Sequence, residues 1–172
     1  MRKISCVVLL LGLGLVFLAS AGVAASPTKQ YLKELQSRFS RSSEGIISDQ
    51  KTGLRWLESP DNAMTWVQAQ AWIEGLGKPW RTPTIEELKG IYLPESARQG
   101  APFAGLPALN LHLDKAFANN SYMVWSVAKD SSLAWYFGFY DGVEYWNPRD
   151  TTIWRFRALA VSPSGKTSRK VK

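Results

Sequence analysis

Apolar residues recur three and four apart in three stretches of the chain, the spacing of one helix face. Tyr31, Leu32, Leu35 and Phe39 predict an amphipathic helix over 28–40, followed by a polar linker, Ser40–Ser43. Trp66, Ala69, Ile73 and Leu76 predict a second helix. Thr65 caps it, with Gln68 three residues on as the reciprocal partner, and Gly77 and Pro79 close it. Ile85, Leu88 and Ile91 predict a third. Pro83 keeps Thr82 extended, and Thr84 then starts the helix with Glu87 completing the capping box.

Elsewhere the pattern is that of strands. Ile46–Ser48 and Leu54–Leu57 flank a loop in which Gly53 supplies a positive φ. Asp49 reads as a turn former that bonds its own backbone. Residues 92–121 carry prolines and asparagines without a periodic run, and predict a long functional loop. Tyr122–Val127, Leu133–Tyr140, Val143–Asn147 and Thr151–Val161 predict four strands, the middle two joined by a two-residue Asp141-Gly142 turn. In that register Trp135, Phe137, Phe139 and Trp146 share one face, expected to be core. Tyr136, Tyr140, Tyr145 and Asn147 share the other, beside a gap at Gly138. Flat amphipathic aromatics of that kind suit sugar rings or peptides, and the other reading is ordinary packing against the 92–121 loop. Helices first and strands after predict an α+β domain, with Trp80 filling its core and Arg81 bonding local carbonyls.

The N-terminus changes the compartment. Arg2 and Lys3 precede an apolar run, Ile4–Leu18, and small residues reach Ala25, so 1–25 reads as a signal peptide. The protein is therefore expected to be exported: periplasmic, on the outer surface, or secreted. No transmembrane span is expected after cleavage. The remaining regions are a helix and linker (26–45), one domain (46–163) and a disordered basic tail (164–172). The net charge of +7 is mostly peripheral: Arg2 and Lys3 lie in the leader and four basic residues in the tail, which leaves a body of 15 basic and 14 acidic residues. Nucleic acid is not an expected partner.

Catalytic and metal chemistry find no support. Cys6, the only cysteine, lies in the leader, and His112, the only histidine, has no nucleophile at a recognisable spacing. Glu86 and Glu87 are adjacent, so they diverge on a helix. Trp146-Asn147-Pro148-Arg149-Asp150 places an arginine where a calcium cage needs oxygen. No enzyme activity, metal or cofactor is predicted.

The motifs also run in a familiar order. Asp49, Thr52-Gly53-Leu54 and Trp56; Met64-Thr65-Trp66 with Ala69; Trp80-Arg81-Thr82-Pro83-Thr84 with Glu87-Leu88; Trp125-Ser126; Ala134-Trp135 with Phe137, Phe139 and Gly142; and Arg157 together resemble the Lcl C-terminal domain family of a bacterial collagen-like adhesin. The resemblance covers roughly 46–161. It implies a C-type-lectin-like fold, two helices packed on an antiparallel or mixed sheet, here preceded by the N-terminal helix. It marks Trp66, Trp80, Arg81, Pro83, Trp125, Trp135 and Arg157 as the structural motif. It also implies a disulfide between positions that are Ile73 and Ala158 here, where an apolar contact would replace the bond. The function expected is a non-enzymatic module that binds glycan or surface polymer through Tyr136, Tyr140, Tyr145, Asn147 and Arg149. The other reading is an envelope assembly subunit that binds an envelope or surface protein and oligomerises through the N-terminal helix.

Overall fold

A short hairpin lies near the start of the described residues, and its turn explains its shape. Asp49 accepts hydrogen bonds from the Lys51 amide (2.9 Å) and the Thr52 hydroxyl (2.8 Å), and Gly53 takes φ +71°. This turn joins β2 (Ile47–Asp49) to β3 (Leu54–Glu58). The protein is seen in a computed structural model that describes residues 38–100, 102, 107–118 and 122–164. The segment read as a signal peptide, most of the helix expected over 28–40 and the basic tail beyond Ser164 lie outside these residues.

The end of that expected helix is a strand. Phe39–Arg41 form β1, which pairs antiparallel with β2, and Ser40–Ser43 is therefore not a free linker. Tertiary packing outweighs the helical spacing: the Phe39 ring lies edge-on to Phe117 at 5.4 Å. Asp49 gains a long-range partner at the same place, since Arg38 forks its carboxylate at 2.9 and 2.8 Å.

The two helices begin where the caps predict. Helix α1 is Trp66–Gly75 behind Thr65, and α2 is Ile85–Ile91 behind Thr84, both with complete capping boxes. Residues 92–121 are more than a loop. They hold β4 (Arg98–Gln99) and β5 (Asn110–Leu111), and they send Leu93, Leu111, Leu113 and Phe117 into the core.

Among the described residues the strands form three antiparallel sheets. The first sheet has the order β1-β2-β3-β9, with β9 at Leu159–Pro163; β4 and β5 form the second. The third is β6-β7-β8, from Met123–Ala128, Leu133–Gly138 and Glu144–Pro148. The architecture is thus α+β, with separate sheets rather than one. The final strand is also shorter than expected from Thr151–Val161. Thr152 to Arg155 are exposed, Phe156 turns inward onto Trp125, and regular pairing starts only at Leu159.

Arg157 links the sheets. Its amide donates to the Met123 carbonyl (2.9 Å), and its carbonyl accepts from the Trp125 amide (3.1 Å). One contiguous core includes Trp56, Leu88, Ile91, Val124, Trp125, Phe137 and Phe156. Ile73 and Ala158 are both buried, but only Ala158 belongs to that core.

Candidate functional site

The β7–β8 hairpin turns through four residues, Phe139–Gly142, rather than two. Gly138 donates its amide to the Val143 carbonyl at 2.9 Å, and Gly142 donates to Gly138 at 2.8 Å. Phe139 is fully buried, so it is drawn into the turn instead of the ladder. Asp141 stabilises the longer connection by accepting from the Val143 amide (3.1 Å) and the Tyr145 hydroxyl (2.6 Å). The register places Tyr136 opposite Tyr145 and Trp135 opposite Trp146. It differs from the two-residue reading by an even number of residues, so side-chain parity survives.

The two faces are covered differently. The tyrosine face is closed. Tyr136 is 8% exposed, stacks on Tyr145 at 5.3 Å, and is met edge-on by Phe156 at 4.8 Å. Trp125 stacks on the far side of Phe156 at 4.0 Å. Burial pushes the Tyr140 hydroxyl well above the ordinary tyrosine range, helped by its hydrogen bond to Tyr145. Tyr145 is raised in turn, chiefly by its bond to Asp141. These hydroxyls are spent on one another. Gly138 leaves no gap, because a Cβ there would meet Asp141 Oδ1 at 2.5 Å and Tyr140 Cε1 at 3.0 Å. Asn147 is half-buried beside them, opposite Ala134.

Arg149 packs on the first helix. Its guanidinium lies 3.8 Å from the centre of the Trp66 ring, and Nη1 donates to the Ser131 carbonyl at 3.0 Å. The other motif residues form the frame. Trp66 Nε1 donates to the Ser126 carbonyl (2.8 Å) and Trp125 Nε1 to that of Met64 (3.0 Å). The buried Pro83 accepts from the Ser126 hydroxyl at 2.8 Å. Arg157 grips Asp61 Oδ1 through Nε (3.1 Å) and Nη2 (2.6 Å). Arg81 forks Glu87, a carboxylate of its own chain, rather than bonding carbonyls alone. Trp80 is only half-buried, with Arg55 lying 5.5 Å over its ring, so it does not fill the core.

The open aromatic surface is the face expected to be core. Under α2 that face is covered: Phe137 is buried, and Glu144 pairs with Lys89 on the helix at 2.7 Å. The helix is only seven residues long and leaves the far end of the hairpin bare. There Trp146 is 54% exposed and Trp135 half-buried, side by side. The Lys129 ammonium lies 5.4 Å from the Trp146 ring centre and 5.7 Å from that of Trp135. A register shift in β6 between Trp125 and Ala128 sets two residues against Trp135, and one of them, Val127, is exposed. Lys129 had no signal of its own in the sequence, since its role depends on the β6–β7 turn folding it over both rings. Among the described residues, no three His, Cys, Asp or Glu side chains gather as metal ligands.

The model of one family, the Lcl C-terminal domain, matches residues 45–160. No curated protein and no solved structure matches the chain significantly.

Proposed function

The chain belongs to the Lcl C-terminal domain family, and from that premise we propose that it is an exported, non-enzymatic binding module for a glycan or a sugar-bearing surface polymer. The proposed fold is the C-type-lectin-like one, and the binding surface is the Trp135–Trp146 pair rather than the tyrosine row. The observation that carries this reading is Trp146, a large aromatic more than half exposed on a strand, beside a second indole. Exposed apolar patches framed by polar groups mark interaction surfaces. An indole offers a flat apolar face to the C–H face of a pyranose. The Lys129 ammonium beside it supplies donors for ring or hydroxyl oxygens. The apolar run at residues 4–18 supports export.

The test is a glycan array probed with purified protein at two salt concentrations. Specific binding that survives salt and is lost in Trp146→Ala, but retained in Tyr140→Phe, supports the reading. Binding that disappears with salt alone points to the basic tail instead. Binding indifferent to Trp135→Ala and Trp146→Ala removes the pair from the site.

A further inference from the structure

A second feature lies on the first sheet, on the face turned away from the main core. Ser48, Arg55 and Ser162 form one row across β2, β3 and β9, since Arg55 is the cross-strand partner of both serines. Side chains paired in this way stand on the same face. Arg55 is half-buried, and among the described residues it has no ion-pair or hydrogen-bond partner. Its Nε is buried with nothing to donate to, and so is the hydroxyl of Ser162, which is fully buried. Buried polar groups are mostly hydrogen-bonded in folded proteins, so this row carries donor capacity that the chain itself leaves unmet.

A cavity of about 370 Å³ lies beside this row, lined by Ser48, Asp49, Gln50, Gly53, Leu54, Arg55 and Ser164. Its chemistry favours an anion. The only acid in the lining is Asp49, whose charge is already met by the Arg38 fork. Arg55 therefore supplies the uncompensated charge, and the Trp80 ring at 5.5 Å holds its guanidinium in place. Two serine hydroxyls and the Gln50 amide add donors, while Leu54 gives the cavity an apolar wall.

We propose that this cavity is a binding site for an oxyanion group, held by the Arg55 fork and the hydroxyls around it. Planar carboxylates and tetrahedral phosphates or sulfates share the feature recognised, a pair of acceptor oxygens matched to the guanidinium. The site lies on a different sheet from Trp135 and Trp146, and its occupancy is independent of theirs.

The full-length protein, labelled with ¹⁵N, is titrated with acetate, phosphate and sulfate in turn, with ionic strength held constant by chloride. The expected result is saturable movement of the Arg55 Nε–H and Trp80 indole signals with at least one of the three. The anion that saturates first distinguishes the planar from the tetrahedral group. Arg55→Lys retains the charge but loses the fork, and binding should weaken about tenfold. Absence of saturable movement with all three anions overturns the proposal and leaves the two orphan donors to ordered water. Saturable movement of the Trp80 indole signal that persists unchanged in Arg55→Lys overturns it as well. If Arg55→Lys fails to fold, the wild-type titration still decides the question.

Discussion

Arg81 holds Glu87 through two parallel bonds, Nη1 to Oε2 at 2.8 Å and Nη2 to Oε1 at 2.6 Å. The same Oε2 accepts from the Thr84 amide at 2.9 Å, so one carboxylate closes the capping box and ties the extended Trp80–Thr82 segment to α2. Arg81 also bridges Val161 of β9 through its own amide and carbonyl, at 3.0 and 2.9 Å. A residue of the first sheet and the helix that covers the third sheet are thereby joined. Glu87→Ala should cost about 1–2 kcal/mol, mainly through the lost cap. Arg81→Ala should cost less than about 1 kcal/mol, because its guanidinium is half exposed and the ion pair is screened. Urea melts of the two variants check this. Equal losses would show that the ion pair, not the cap, dominates.

A pH dependence follows from Asp49. Burial alone raises this carboxyl, but hydrogen bonds from Arg38, Thr52 and the Lys51 amide outweigh it and hold the group below the usual range. A depressed folded value stabilises the fold above the unfolded carboxylate value of about 3.9, and that stability is lost as pH falls through the folded value. Urea melts from about pH 6 to about pH 2 should therefore show a falling acid limb. Asp49→Asn should flatten that limb. At neutral pH it should cost about 3 kcal/mol, because Arg38 is nearly buried and loses its counter-charge. An unchanged acid limb in Asp49→Asn would assign the loss to Glu87, which Arg81 also holds below its ordinary value.

The β7–β8 turn is the third test. Gly142 has φ +76°, and a Cβ there would lie 2.7 Å from Tyr92 Cζ. Gly142→Ala should therefore destabilise by about 1–3 kcal/mol through backbone strain alone, with the ring clash added to it. Thermal melts of Gly142→Ala alone and in a Tyr92→Leu background separate the two. Partial recovery in the double variant identifies the ring contact, and no recovery identifies the backbone.

The parts of this fold legible in the sequence are the parts decided locally. Thr65 with Gln68, and Thr84 with Glu87, mark their helices because a capping box uses only residues three apart. The faces of β7 and β8 were legible by parity, even though Phe139 lengthens the turn. Parity does not say what covers a face. Phe156 closes the tyrosine row from 20 residues away in sequence, and Trp146 is left 54% exposed. The pairs Arg38–Asp49 and Arg157–Asp61 join residues 11 and 96 apart, and no local pattern reports them. Phe39 had helical spacing to its neighbours, yet its strand pairing with β2 prevails. The candidate surface was thus legible in part: the hairpin and the alternation of its faces, although the face expected to be core is the one left open at Trp146.

That reversal gives the last prediction, which separates binding from folding. Trp146 and Trp125 lie on opposite faces of the same sheet with opposite exposure. Trp146 is 54% exposed, and truncating a surface side chain with no buried partner changes stability by about 0.5 kcal/mol or less. Trp125 is buried, stacks on Phe156 at 4.0 Å and donates its indole N–H to Met64. Trp125→Ala leaves a cavity and an unsatisfied carbonyl, and should cost about 3–5 kcal/mol. If the open indole is the binding surface, Trp146→Ala loses glycan binding with its melting temperature essentially unchanged. Trp125→Phe, which keeps most of the packing, should retain binding while melting lower. Binding that follows stability across both variants would mean that the fold as a whole, and not the exposed pair, presents the ligand surface. Parallel melting curves and binding isotherms on the same preparations decide between them.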